Sequence, residues 1–345
     1  MTRSQIVAVG RMSSTMLEGI ATGLSKLGHA LNRHAGTVST PELTSAEIII
    51  SGQGFAVSKS IIASVQRLRG IVSPITGIDG IDVAAATEHG IIVANGQVME
   101  NTESMAEATV LLLLAAMYDL HGTEAVLRQN LPRPRAMKAR MLKGKMVGLI
   151  GWGQISRAVA QRLSGWEAHI QANSRSRNAG DEDDVRFVSL EQLLRTSDVV
   201  CVLSTLNPDS ARLLNADRLR LLKKDAVLVN TARGAIIDEA ALYKVACERP
   251  DLRLALDTFM VEPLPDSSPL RELPNVILTP HQVGHTQESF DARLEAAIEN
   301  IRRILAAELP LYVCNPEIAT QWQARWGSRA YSGETDHDQP ERAQS

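Results

Sequence analysis

The chain has 345 residues, more than one hydrophobic core usually serves, so length alone predicts two domains. It is 44% hydrophobic and 22% charged with a formal net charge of -3, a balance that offers no general attraction to nucleic acid or an anionic membrane. The longest apolar run, at 110–117, falls well short of the roughly 20 residues a membrane span needs.

Residues 6–9 predict a first strand, and 16–27 a helix with Leu17, Ile20, Leu24 and Leu27 at helical spacing. Residues 47–50 predict a second strand, 61–68 a helix and 70–73 a third strand, and 82–88 with 91–94 repeat the alternation. Strand and helix alternating at short spacing imply a parallel sheet with helices on both faces. Residues 101–128 predict one long helix with Leu111, Leu114, Met117 and Leu120 along one side. Residues 129–140, with Pro132, Pro134 and several basic residues, predict an exposed connection.

The stretch 146–163 reads as a short apolar strand, a glycine turn and a helix. Gly151, Gly153 and Ser156 stand at the G-x-G-x-x-G spacing of a dinucleotide-binding turn. Gly151 would let the chain turn sharply out of the strand. Gly153 would let a pyrophosphate approach the first backbone N–H groups of the helix, including those near Gln154 and Ile155. Ser156 replaces the third glycine, which normally allows close helix–strand packing, and serine is small enough to serve there.

Further strands are predicted at 168–172, 198–203, 226–229, 252–256 and 276–278, a short helix at 190–194, and a long helix at 287–305 bearing Leu294, Ala297, Ile301 and Ile304. From Gly327 to Ser345 the chain is polar, and a disordered tail is expected. Cys201, Cys247 and Cys314 have no metal-ligand spacing, so no metal is expected and free thiols in a reducing cytoplasm are. Residues 5–10 are too short an apolar run to form the core of a secretory signal.

About 20 residues beyond the glycine turn, the second strand of such a fold meets the adenosine ribose, where a carboxylate selects NAD. Here the chain reads Asn173, Ser174, Arg175, Ser176, Arg177. Two guanidinium groups and two hydroxyls suit a 2′-phosphate, so NADP(H) is the expected cofactor, with NAD(H) possible. Arg233 follows the strand at 226–229, Asp257 and Glu262 follow the next, and His281 follows the last. Ligands of open parallel sheets bind outside such strand ends.

These segments, with Ile75-Thr-Gly-Ile-Asp-Gly-Ile-Asp82, Glu103-Ser-Met-Ala-Glu107, Leu142-Lys-Gly-Lys145 and Leu311-Tyr-Val-Cys-Asn-Pro-Glu317, resemble the D-isomer-specific 2-hydroxyacid dehydrogenases. That family includes glyoxylate and hydroxypyruvate reductases and phosphoglycerate dehydrogenase. The resemblance implies an α/β protein whose Rossmann nucleotide-binding domain, residues 101–288, is inserted into a discontinuous flavodoxin-like substrate domain, residues 1–100 and 289–316. It makes Arg233 the binder of the 2-oxo acid, Glu262 the partner of the histidine, and His281 the proton donor and acceptor. It also assigns the backbone near Thr76 and Gly77 to the substrate carboxylate, Thr231 to the cofactor and Asp257 to the nicotinamide amide. It implies a homodimer and closure of the domains over a small 2-oxo or 2-hydroxy acid.

Two departures stand out. The family's His-x-Pro is replaced at Leu203, Ser204 and Thr205, and His285 stands where the family carries a small residue; it is read as non-catalytic. No basic pocket for a phosphorylated substrate is evident, which favours glyoxylate or hydroxypyruvate. The same fold resembles dinucleotide-sensing co-repressors, so a non-catalytic scaffold is the competing expectation. Formate dehydrogenase is disfavoured, because that relative has glutamine where Glu262 stands.

Overall fold

The structure, a computed structural model, describes residues 5–33, 43–134, 136–177, 180–182 and 184–330. The chain divides into two compact units, Met1–Met99 with Gln287–Ser345, and Glu100–Thr286.

The first unit opens with β1 (Ile6–Val9) and α1 (Ser14–Lys26), which buries Met16, Ile20 and Leu24. The hydroxyl of Ser13 accepts the Met16 N–H at 3.2 Å and so starts that helix. There follow β2 (Leu31–Arg33), β3 (Ile48–Ser51), α2 (Lys59–Ser64), β4 (Gly70–Val72), α3 (Val83–Glu88) and β5 (Ile92–Ala94). Among the described residues these strands form a parallel sheet in the order β2-β1-β3-β4-β5, the flavodoxin-like 2-1-3-4-5. The runs Ile6-Val-Ala-Val9 and Ile48-Ile-Ile50 are apolar without alternation because both faces of the sheet are covered.

The second unit takes in α4 (Met99–Met117), apart from its first residue, and α5 (Leu120–Arg128). The sequence predicts one helix over 101–128, but the two axes bend by 61°. Asp119 adopts a left-handed backbone with φ 51°, and the carbonyls that would have continued the helix are taken elsewhere. Nη1 of Arg253 donates to the Ala116 and Met117 carbonyls at 2.8 Å each, and the Arg140 N–H donates to Met117 at 3.0 Å. Among the described residues no single helix is long and apolar enough to cross a membrane.

The nucleotide-type fold proper runs β6 (Met146–Ile150), α6 (Gln154–Leu163), β7 (His169–Asn173), β8 (Gly180–Glu182), β9 (Val185–Phe187), α7 (Leu190–Thr196), β10 (Val199–Val202), α8 (Ala216–Arg220), β11 (Val227–Asn230), α9 (Glu239–Glu248), β12 (Arg253–Leu256) and β13 (Val276–Leu278). The sheet order is β13-β12-β11-β10-β6-β7-β9-β8, parallel except for the β8–β9 pair. Leaving out β8, the parallel strands count 3-2-1-4-5-6-7 from β9 to β13, so the order reverses between β6 and β10, where dinucleotides bind. Alternate residues of β10 serve opposite cores, Val200 and Val202 one, Val199 and Cys201 the other. Burial pushes the Cys201 thiol up to about 12, which makes it a packing residue.

The chain returns to the first unit with α10 (Gln287–Leu305), whose Leu294 and Ile298 lie against Gly19 and Gly23 of α1. A final helix, α11 (Ala319–Ala330), was not expected from sequence. It seals the unit with Trp322, fully buried, whose Nε1 donates to the Arg69 carbonyl at 2.7 Å. The guanidinium of Arg69 lies 5.0 Å over the Trp326 ring. The polar tail expected from Gly327 is therefore helical as far as Ala330, and its remainder lies outside the described residues.

Candidate active site

The turn after β6 has the shape a pyrophosphate requires. Gly151 has φ 99°, and a Cβ there would lie 2.8 Å from the backbone N and Cα of Ser204, so only glycine fits. Gly153 is the N-cap of α6 with no side chain capping it, and a Cβ there would meet nothing within 4 Å. Open space therefore faces the start of α6 at Gln154 and Ile155, and these residues fit the phosphates of a dinucleotide. Ser156 is fully buried in the helix–strand contact, and its Oγ makes no hydrogen bond among the described residues.

At the end of β7 the Ser174 and Ser176 hydroxyls lie 3.1 Å apart, and Arg175 and Arg177 are exposed. Arg175 is ion-paired with Asp209. Sequence reading missed this partner. Asp209 belongs to a turn in which Asn207 Oδ1 accepts the N–H groups of Asp209 at 3.0 Å and Ser210 at 3.1 Å. The Asn-Pro pair announces the turn, but nothing local announces the arginine it meets.

Arg233, Glu262 and His281 follow the carboxyl ends of β11, β12 and β13 in the same unit. A Cβ on Gly234 would lie 2.0 Å from the carbonyl carbon of Phe259, so the backbone after Arg233 packs directly on the segment carrying Glu262. Glu262 accepts the Phe259 N–H at 3.0 Å through Oε1, and its Oε2 lies 2.7 Å from His281 Nδ1. Burial would raise the Glu262 carboxyl. The His281 hydrogen bond, the Phe259 N–H and the positive charges of His281 and Arg233 outweigh that and hold it below the usual carboxylate value. With Nδ1 engaged by Glu262, Nε2 is the ring nitrogen left to meet a substrate.

Other predicted residues have internal roles. Thr231 is buried, its hydroxyl 2.9 Å from that of Thr109. Asp257 is buried beneath the histidine turn, where Oδ1 accepts from Thr279 Oγ1 at 2.7 Å and from the N–H groups of Gln282 at 3.1 Å and Val283 at 3.3 Å. Ser104 Oγ donates to the Gly284 carbonyl at 2.7 Å and anchors the far end of that turn, a contact hidden inside the quoted motif at 103–107. His285 is exposed. Thr76 and Gly77 lie in the first unit, in a turn closed by Ser73 Oγ on the Gly77 carbonyl at 2.9 Å and by Asn95 Nδ2 on the Thr76 carbonyl at 2.9 Å.

A nucleotide-binding sheet whose carboxyl edge carries an arginine and a carboxylate-held histidine defines a dinucleotide-dependent oxidoreductase. Comparison with known proteins makes that class specific. Residues 110–283 match the family described as D-isomer specific 2-hydroxyacid dehydrogenase, NAD binding domain. A glyoxylate reductase of Thermofilum pendens is 34% identical over 269 residues, 76% of this chain and 79% of that protein. A D-3-phosphoglycerate dehydrogenase of Methanocaldococcus jannaschii is 33% identical over 79% of this chain, which spans only 52% of that protein's length. The crystal structure of a glyoxylate reductase from Paecilomyes thermophila matches with a TM-score of 0.79 and 25% identity, covering 92% of this chain and 100% of that one.

The chain belongs to the D-isomer specific 2-hydroxyacid dehydrogenases, and its second unit is the nicotinamide-dinucleotide-binding domain of that family. Relatives named as reductases and dehydrogenases favour an enzyme over the dinucleotide-sensing scaffold.

Proposed function

We propose that the protein reduces a small 2-oxo acid, glyoxylate or hydroxypyruvate, to the D-2-hydroxy acid with NADPH. The observation that carries the reading is the 2.7 Å pair of His281 Nδ1 and Glu262 Oε2, at the same sheet edge as Arg233 and the glycine turn. The guanidinium of Arg233 holds the substrate carboxylate and helps polarise its 2-oxo group. When bound, the dinucleotide supplies hydride from nicotinamide C4. His281 Nε2 gives a proton to the oxygen on substrate C2, and Glu262 fixes the ring through Nδ1.

Gly151, Gly153 and the backbone at Gln154 and Ile155 take the pyrophosphate, and Ser174, Arg175 and Arg177 take the 2′-phosphate. Thr231 and Asp257 are assigned to the cofactor, and Thr76 and Gly77 to the substrate carboxylate, on the family resemblance. A homodimer through α4, α5 and the segment after them is supported by exposed apolar side chains there, including Leu127, Met137 and Met141. The free cysteines support a reducing, cytoplasmic compartment.

Initial rates for glyoxylate, hydroxypyruvate, pyruvate and bulkier 2-oxo acids, each with NADPH and NADH, test the proposal. Fastest turnover of glyoxylate or hydroxypyruvate with NADPH is expected. Firm cofactor binding with no turnover of any acid would instead support the scaffold.

A further inference from the structure

His281 has a φ of 54°, in the left-handed region that residues other than glycine enter uncommonly. The contacts that hold this turn converge on one atom. Oδ1 of the buried Asp257 accepts from Thr279 Oγ1, two residues before His281, and from the N–H groups of Gln282 and Val283, one and two residues after it. The His281 N–H donates to the Thr279 carbonyl at 3.0 Å, which closes the turn from inside. Pro280 restricts Thr279 to extended backbone and removes a competing N–H donor.

We infer that Thr279 is a positioning residue for the reaction, whose hydroxyl, tied to Asp257, holds the His281 turn so that Nδ1 stays on Glu262. Thr279 touches no reacting atom in this scheme. Gln282 and Val283 contribute backbone N–H groups whatever their side chains are, so the Thr279 hydroxyl is the part of the clamp that depends on residue identity. The hydroxyl ties the entry strand, and the two N–H groups tie the exit, to the same carboxylate. Without the hydroxyl the entry side keeps only its backbone bond, the Thr279 N–H to the Leu256 carbonyl at 3.0 Å, and the ring can swing off the Glu262 axis while the strand itself remains. The inference rests on the assignment of His281 as the proton donor.

The test compares Thr279→Val, which keeps the branched shape without the hydroxyl, with Thr279→Ser, which keeps the hydroxyl without the methyl. Displacing a reacting group by about 1 Å costs on the order of 100-fold, so T279V should lose 10- to 100-fold in kcat for 2-oxo acid reduction. Its pH profile should change, and kcat is read at saturating NADPH because the Thr279 hydroxyl touches Asp257, which is assigned to the cofactor. T279S should recover most of kcat.

Equal losses in T279V and T279S, or a T279V enzyme with wild-type kcat and pH profile, would overturn the inference. His281→Gln is run beside them. If it retains turnover, the proton-donor assignment falls; if it is inactive while T279V is normal, only the role of Thr279 falls. Should T279V not yield folded protein, Thr279→Ala removes the hydroxyl without bulk and is judged by the same outcomes.

Discussion

His281 and Glu262 are joined through Nδ1 and Oε2 at 2.7 Å, and the second oxygen of the same carboxylate is held by the Phe259 N–H at 3.0 Å. The carboxylate is therefore fixed by backbone before it orients the ring. Its direction of titration follows. A carboxyl held below its usual value stays ionised as the pH falls through the ordinary carboxylate range, and its contribution is lost only at the lower folded value.

Reductive kcat should accordingly keep the benefit of Glu262 through the ordinary carboxylate range and fall below it. Glu262→Gln should remove that acid limb and lower kcat on the order of 10- to 100-fold, part of what general acid–base catalysis supplies. A pH–rate series on both proteins checks this, and an unchanged acid limb in E262Q would assign the limb to another group.

Cofactor preference should be set by a balance at Arg175. Its ion pair with Asp209 is exposed on both sides, so it contributes little to stability and opens readily. Asp209 nonetheless places a negative charge where a 2′-phosphate would approach. Asp209→Asn should strengthen NADPH relative to NADH by a few-fold, since a like charge near a surface site is worth about 1 kcal/mol. Arg175→Asp should weaken NADPH more than NADH. Fluorescence titrations with both cofactors at low and high salt measure these ratios, and screening should shrink both effects. An unchanged ratio in R175D would remove the arginine from the cofactor site.

What was legible in the sequence was whatever local pattern determines. The apolar runs of β1, β3, β6 and β10, the glycine turn and the strand-end positions of Arg233, Glu262 and His281 all depend on near neighbours in the chain. What was not legible depends on distant partners. The break at Asp119 is set by Arg253, more than a hundred residues away, which takes the carbonyls of Ala116 and Met117. The short strands β2, β8 and β9 exist because neighbouring strands offer them edges. Around Trp322 the sequence looks polar, yet the helix is held by the buried indole on Arg69. The same holds within the site, where Asp209, Thr279 and Ser104 matter through contacts that no motif spacing displays.

Gly153 and Gly234 should fail in opposite ways. A Cβ at Gly234 would lie 2.0 Å from the Phe259 carbonyl carbon, an overlap between two backbones that cannot both give way. Gly234→Ala should destabilise the second unit by about 1–3 kcal/mol or more and displace Arg233. Gly153→Ala meets no protein atom and has an ordinary φ of -95°, so the fold should survive. Its methyl would instead occupy the approach of the pyrophosphate, and NADPH affinity should drop at least about tenfold with little change in melting temperature. Melting curves with and without NADPH separate the two. Wild-type affinity in the Gly153 variant would move the phosphates away from this turn.

Ser156 is the departure from the glycine spacing whose cost can be measured. Its hydroxyl is fully buried and makes no hydrogen bond among the described residues, a situation that costs about 1–3 kcal/mol. Ser156→Ala removes the hydroxyl and adds helix propensity, so it should raise stability by about 1 kcal/mol and the melting temperature by about 2–4 °C. Ser156→Gly also removes the hydroxyl but gives back about 1 kcal/mol in helix propensity, so it should melt close to wild type. If S156A instead melts lower in the presence of NADPH, the hydroxyl has a partner from outside the protein, water or the bound dinucleotide. NADPH then distinguishes them: a partner on the cofactor makes the ligand-induced rise in melting temperature smaller in S156A than in wild type, whereas water leaves that rise unchanged.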